Sequence, residues 1–380
     1  MKMKKKDQTC TNCVMDNTDP NIVFNENGVC ERCNQYKRDI LPNWNYGMGK
    51  EKELEKLVLK IKKSGHNKKY DCILGLSGGF DSSYLLHFAV KELKLRPLVF
   101  HVDAGWNISF AEENIKKMVD KLGVELIIEK INWNEIRDMQ LAFFKSGVPH
   151  LDTPQDHAFV SVLDNYAKKY NIKYILNGGN ISTEVIVNPN AWGYWGTDIV
   201  HIKDILKKFG SVEMKTYPFT NIYNRKIYMP YFKRVKVLKL LNYIPYIKED
   251  AEMLLKKEYD WSPYPQKHFE DILTKFIEGY WLPVRFGYDV RKPQYSSLIL
   301  TNQMTREDAI EKLKKPPFSE KEAKELFSTV ASMLEISKEE LEGYATMPLK
   351  TYKDYKNQDY LFGIGSKIMY SLKLDKLIRK

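Results

Sequence analysis

With 380 residues, the chain is long enough for two or three domains with their own cores. Its 43% hydrophobic and 29% charged residues exclude disorder, and no apolar run nears the roughly 20 residues that span a bilayer. Lysine and arginine outnumber acids by 60 to 49, a net +11 that suits nucleotides, nucleic acid, acidic metabolites or an anionic membrane face, or simply a solvated lysine-rich surface.

The basic start Met1–Lys6 leads into polar residues 7–12 where a signal peptide needs an apolar core, so a cytoplasmic location without a membrane partner is expected. Four of the five cysteines form two CxxC pairs, Cys10/Cys13 and Cys30/Cys33, with 16 residues between them. Each pair supplies two thiolates from one knuckle, and Asn27-Gly28 reads as the hairpin turn joining the knuckles. A structural zinc site follows, closed by four sulfurs and without an open position, in a ribbon-like unit over 1–45.

An amphipathic helix with Leu54, Leu57, Val58 and Ile61 on one face comes next. From Tyr70, strands alternate with helices. Strands are expected at 72–76, 98–102, 125–128 and 174–176, and helices at 82–93, 110–122 and 155–170. The pattern predicts an α/β fold, a parallel doubly wound sheet over 46–210. Residues 211–380 read as mostly helical, marked by Thr305/Asp308, Ser319/Glu322 and Ser337/Glu340 as helix starts. The segment 210–280 offers no readable motif.

The loop after the first strand, Ser77-Gly78-Gly79-Phe80-Asp81-Ser82, brings backbone N–H groups and two hydroxyls to a helix start, a cradle for pyrophosphate. Asp81 would repel phosphate unless magnesium bridges them, or unless it serves only as a helix cap.

That loop resembles the SGGxDS loop of the ATP pyrophosphatases, adenine nucleotide alpha-hydrolase-like enzymes that adenylate an oxygen and release pyrophosphate. Gly179-Asn180-Ile-Ser-Thr-Glu184 is similar to a segment of NAD synthetases whose glutamate binds magnesium. The resemblance implies ATP at Ser77, Gly78, Gly79, Asp81, Ser82, Gly179 and Asn180, with Mg2+ on Asp81 and Glu184. By the same analogy Asp103 borders the ribose or is a turn cap, and Lys203 is a catalytic lysine or a solvated one. Phe80 stands where many such loops carry lysine or a small residue, so the phosphate charge must be met by metal or by a distant lysine.

The chain from about 8 to 350 resembles the N-acetyl sugar amidotransferases of bacterial surface-glycan biosynthesis (lipopolysaccharide O-antigen or flagellin sugars). The segments Cys10–Asp16, Asp103–Asn107, Asp152–His157, Asn177–Asn180, Phe286–Asp289 and Ser296–Arg306 carry the likeness. It implies an enzyme that adenylates the acetamido oxygen of an acidic sugar, free or nucleotide-linked, and replaces it with ammonia nitrogen. A nonulosonic acid of the pseudaminic or legionaminic kind and a diacetamido uronic acid both fit. It implies substrate contacts at Asp156, His157, Arg285, Arg291 and Arg306, although each arginine is equally readable as structural and His157 as a satisfied helix-start histidine. With Lys2 where an N-terminal nucleophile would be cysteine, ammonia is expected from glutaminase- and cyclase-like partner subunits. Two other readings stand: a tRNA-thiolating pyrophosphatase, disfavoured because only Cys72 remains outside the zinc set, and a non-catalytic nucleotide-binding scaffold.

Overall fold

A computed structural model describes residues 8–364, so the basic start and Lys2 lie outside the described residues, as does the end of the expected C-terminal region. Five parallel strands, β1 (Cys72–Gly75), β2 (Pro97–Asp103), β3 (Leu126–Lys130), β4 (Tyr174–Leu176) and β5 (Lys236–Leu238), form one sheet in the order β3-β2-β1-β4-β5. The strand period of two divides their side chains between two cores. Ile73, Leu98, Phe100 and Val102 join Phe143, Phe144, Phe276 and Trp281 on one face. Cys72, Leu74 and Val99 join Leu85, Leu86, Ile115, Met118 and Trp261 on the other.

The chain begins at the sheet's centre, runs outward through β2 and β3, then returns to lay β4 on the other side of β1. The strand order therefore reverses between β1 and β4, and a crevice opens where their C-terminal ends diverge. The loops 76–79 and 177–180 leave the sheet at that crevice.

Several elements depart from the sequence reading. The sheet continues past residue 210: β5 lies beyond the expected boundary, hidden because it is a three-residue edge strand with Lys236 and Val237 exposed. The helix Trp133–Ser146 was also not expected, because buried acids interrupt its apolar stripe. Glu135 accepts from the backbone N–H groups of Lys215 and Thr216 at 3.0 Å, and Asp138 accepts from those of Ser211 and Val212. These carboxylates tie down the 211–217 loop, whose backbone donors would otherwise be orphaned.

The expected helix starts hold. Thr305 accepts from Asp308 N, Ser319 and Glu322 form a reciprocal capping box, and Ser337 accepts from Glu340 N, opening helices Arg306–Leu313, Glu320–Met333 and Lys338–Thr346. The cysteine unit turns at Gly28 (φ +73°), where Gly28 N donates to Asn25 O at 2.9 Å. It packs Met15, Ile22, Tyr36 and Trp44 with Ile186 and Leu300, so it leans on the helix Arg291–Leu300. Among the described residues no helix is long and apolar enough to cross a membrane.

Candidate active site

β1 delivers the loop Ser77–Gly79 to the start of the helix Phe80–His87. Gly78 has φ +82°, and a Cβ there would lie 2.8 Å from Ala111 O, so only glycine lets the loop pass. Gly79 is the N-cap without a side-chain acceptor, which leaves first-turn N–H groups available to an anion. The hydroxyls of Ser77 and Ser82 stand 3.1 Å apart, Gly79 N donates to Ser77 Oγ at 3.2 Å, and Tyr264 Oη donates to Gly78 O at 3.0 Å.

Asp81 caps nothing; it accepts at Oδ1 from Asn180 Nδ2 and Tyr246 Oη, both at 2.9 Å, and at Oδ2 from Lys267 Nζ at 2.8 Å. The same ammonium reaches Glu184 Oε1 at 2.5 Å. Asn180 also caps the helix Ile181–Glu184 by accepting from Thr183 N at 2.9 Å, so one side chain aligns both carboxylate-bearing elements. Burial pushes the Asp81 carboxyl up, but the Lys267 ammonium and three hydrogen bonds outweigh it and hold the carboxyl below its ordinary range. Burial acts against charge on Lys267 too, and the two carboxylates overcome it.

Ser77, Gly79, Asp81, Ser82, Glu184 and Lys267 line a cavity of about 600 Å3, the size of a small-molecule site. Further ionisable groups line it. Asp156 and Glu270 line it beside His268, which takes a left-handed backbone (φ +69°) and places Nδ1 3.0 Å from the buried Glu278 carboxylate. Burial opposes charge on His268, yet Glu278 carries its pKa up to about 9. Asp156 keeps an exposed side chain, yet desolvation by the surrounding cavity raises it to about 6 against the opposing imidazolium. Glu270 is likewise raised by burial and accepts from Ser77 Oγ at 3.3 Å, so its carboxylate lies against the phosphate loop. Cations and carboxylates therefore alternate around the cavity: Lys267 between Asp81 and Glu184, and His268 among Asp156, Glu270 and Glu278. A second chamber of about 760 Å3 adjoins it and shares Lys248, Glu252, Leu298, Met304 and Lys312.

Of the residues singled out in the sequence, Ser77, Gly79, Asp81, Ser82, Gly179, Glu184 and Asp156 line this cavity. Gly78 and Asn180 support it from behind. The rest lie elsewhere. Asp103 accepts from Gly105 N at 2.9 Å as a turn cap. Lys203 is exposed on the helix Ile199–Phe209, with its ammonium 5.8 Å from the Phe219 ring; of the lysines that line the cavity, Lys267 is the one that bonds Asp81 and Glu184. His157 is buried and satisfied at both nitrogens, by Gly196 O at 2.6 Å and Thr220 N at 2.9 Å.

The three arginines are structural. Arg285 donates to the Tyr344 carbonyl and packs on Trp281 and Phe286. Arg291 is held by Asp289 and by Lys315 O at 2.7 Å. Arg306 donates to Cys10 O at 2.9 Å and Cys13 O at 3.0 Å, clamping the first cysteine knuckle. Lys267, His268 and Glu270 were missed because they sit in the motif-free stretch. The one available signal was Phe80, whose lack of charge called for a distant lysine; Lys267 meets it, and Lys248 Nζ lies 5.9 Å from the Phe80 ring.

The four paired cysteines converge in a buried cluster with all sulfurs within 4.8 Å of one another. Sγ–Sγ separations are 3.9 Å (Cys10–Cys33), 3.8 Å (Cys13–Cys30) and 3.6 Å (Cys30–Cys33). Metal–sulfur bonds of about 2.3 Å in a tetrahedron place sulfurs about 3.8 Å apart, so the donor set fits a metal ion. Backbone N–H groups of Asn12, Cys13 and Cys30 point at Cys10 Sγ within 3.4 Å, stabilising thiolate charge. Cys72 is buried in β1, and burial pushes its thiol up, which makes it inert.

The fold and this site define an adenine-nucleotide-type α/β domain joined to a helical C-terminal domain. A family model described as a phosphoadenosine phosphosulfate reductase domain matches residues 71–180, and one described as the C-terminal domain of WbpG-like LPS biosynthesis proteins matches residues 270–369. The chain therefore carries a WbpG-like C-terminal domain behind a nucleotide-binding domain. An uncharacterized protein of Methanocaldococcus jannaschii is 28% identical over 130 residues, 33% of this chain and 44% of that protein, so the match spans less than half of that relative. Among solved structures, an NH3-dependent NAD synthetase from Campylobacter jejuni matches with TM-score 0.29 and 18% identity, over 56% of this chain and 86% of its own. The U34-tRNA thiolase NcsA from Methanococcus maripaludis, solved with its [4Fe-4S] cluster, matches with TM-score 0.31 and 14% identity over 91% of each chain.

Proposed function

We propose that the protein is an ATP-dependent amidotransferase that converts the acetamido group of an acidic N-acetyl sugar into an acetamidino group for a bacterial surface glycan. The observation that carries this reading is the composition of the cavity. Its phosphate end comes from the nucleotide-binding domain, whereas Glu270, Gln294, Tyr295, Leu298, Met304 and Lys312 come from the stretch matched by the LPS-biosynthesis domain. None of the lining residues is a cysteine, which favours a nitrogen nucleophile over sulfur transfer.

In this reading the adjoining chamber admits the sugar, and its acetamido oxygen forms a bond to the α-phosphorus of ATP as the bond to pyrophosphate breaks. The N–H groups and hydroxyls of Ser77–Ser82 hold the leaving pyrophosphate, and Lys267 offsets its charge. Ammonia nitrogen then attacks the imidate carbon, and the C–O bond breaks to release AMP. Asp156, an ionised carboxylate with a raised pKa, accepts the proton lost by the nitrogen and faces the cationic amidine. Asp81 and Glu184, which converge on the Lys267 ammonium, would hold magnesium beside it, and the metal would supply positive charge against the phosphates. The four cysteines would hold zinc with a structural role, because no position is left for substrate. Ammonia comes from a glutaminase-type partner in the cytoplasm.

The test incubates the protein with MgATP, ammonium ion and a panel of acidic N-acetyl sugars, free and nucleotide-linked. The expected product is lighter by about one mass unit, as oxygen is exchanged for NH on an activated acyl group, and appears with AMP. Asp81→Ala should abolish both. AMP formed only with tRNA, together with sulfur transfer, would refute the reading.

A further inference from the structure

The stretch from Met214 to Lys248, part of the segment without a motif, contains no aspartate or glutamate. It carries eight lysines and arginines and eight aromatic residues. Part of it folds as the π-helix Asn224–Phe232, which leads into the edge strand β5. Tyr223, Ile227 and Tyr231, four residues apart, are 55%, 44% and 59% exposed, and Phe232 beside them is 68% exposed. Single exposed apolar side chains are ordinary, but four neighbours on one short element mark an interaction surface.

Cations surround this patch. Lys226, Arg234 and Lys236 are exposed, and with Lys233 they form no ion pair among the described residues. Lys173 donates to Lys233 O, and its ammonium feels Lys68, Lys233 and Arg234 at once, so the cations are clustered. The nearby carboxylate of Asp164 is taken by Arg225 at 2.5 Å. A second copy of the chain is a poor occupant, because a two-fold contact would set these cations against one another. An added peptide strand is also a poor one, since β5 is three residues long and carries Lys236, the usual protection of an edge.

We propose that this aromatic and basic face docks on the surface of an anionic lipid bilayer, with Ile227, Tyr231 and Phe232 at headgroup level and Lys226, Lys233, Arg234 and Lys236 on the lipid phosphates. Apolar side chains flanked by lysine and arginine, with tyrosine tips that stay hydrated, suit that boundary. The contact is peripheral and independent of the reaction proposed above.

Co-sedimentation of the full chain with vesicles tests this. Vesicles of phosphatidylglycerol and phosphatidylcholine should bind it, and vesicles of phosphatidylcholine alone should not. Binding should weaken as salt rises and screens the cations. The double variant I227S/F232S should lower partitioning about tenfold or more, and each charge reversal at Lys233 or Arg234 about fivefold. Circular dichroism checks the fold of each variant, and R234A, which alters only an exposed side chain, tests the patch should the apolar double variant misfold. Equal binding to neutral vesicles, unchanged binding of the folded variants, or binding to an RNA oligomer with none to anionic vesicles would overturn the proposal.

Discussion

Replacing Lys267 with methionine keeps the length of the side chain and removes the one cation shared by Asp81 and Glu184. Asp81 is 12% exposed, so its lost charge-assisted bond counts at about 1.5–3 kcal/mol. Glu184 is 35% exposed and solvent-screened, so its share is discounted to about 0–1 kcal/mol. Together the loss is about 1.5–4 kcal/mol. At about 2.1 cal/mol/K per residue, 380 residues convert this to a Tm drop of roughly 2–5 °C. The catalytic effect is larger: without the ammonium, charge on the leaving pyrophosphate is less well met, and AMP formation should fall about 10²–10³-fold. The carboxylates then face each other without a cation, so magnesium chloride alone should raise the Tm of the variant while leaving that of the parent nearly unchanged. Scanning fluorimetry with and without magnesium, beside an AMP assay, reads both effects. A variant with the parent's Tm and AMP rate would show that Lys267 has no part in the site.

Replacing Cys30 and Cys33 together with serine should remove bound zinc, read by elemental analysis of the purified chain; an iron–sulfur absorption spectrum in the parent would contradict a zinc assignment. With Asp156 raised to about 6, the working carboxylate is present above that pH and lost as pH falls through it, so the rate should fall on the acid side near pH 6. Asp156→Asn should abolish that limb and lower the rate at pH 8 about 10²–10³-fold, and a retained limb would assign it to another group. Arg306→Ala removes the bonds to Cys10 O and Cys13 O, so zinc should pass to a chelator several-fold faster while KM for ATP stays unchanged. Equal release rates would mean that the knuckle holds itself.

Local patterns made much of the nucleotide-binding half legible. Buried strands such as Cys72–Gly75 are runs of apolar residues because both faces of a parallel sheet are covered, and such runs are visible in a sequence. The phosphate loop was readable because Gly78 and the flanking serines are constrained within six residues. What could not be read depends on separations along the chain. Lys267 meets Asp81 across 186 positions, and no spacing rule connects them. The helix Trp133–Ser146 was hidden for the same reason, since Glu135 and Asp138 spoil its stripe in order to bind a loop about eighty residues later. The arginines of the C-terminal half misled because a guanidinium suits a substrate carboxylate and a backbone carbonyl equally well. Only partners such as Cys10 O and Lys315 O decide between them.

Those partners also bear on how the three parts of the chain depend on one another. The helix Arg291–Leu300 supplies Gln294, Tyr295 and Leu298 to the cavity, while Ser297 Oγ accepts from Ile186 N at 2.9 Å and Thr301 Oγ1 donates to Ser182 O at 2.7 Å. The same helix receives Val14 N on Ser296 Oγ at 3.3 Å, from the cysteine unit. One helix therefore touches the cysteine knuckle, braces the segment that carries Glu184, and forms a wall of the cavity that the phosphate loop also lines. A closed four-sulfur site has no chemistry to offer a substrate, so it would act through its neighbours: this helix, and the segment after Glu184, where Ile186 packs with the cysteine unit and Arg32 donates to Val187 O at 3.3 Å. Losing the metal should then shift the Glu184 segment and the adjoining chamber before it disturbs the Ser77–Ser82 loop, which is anchored to β1 on the other side of the crevice.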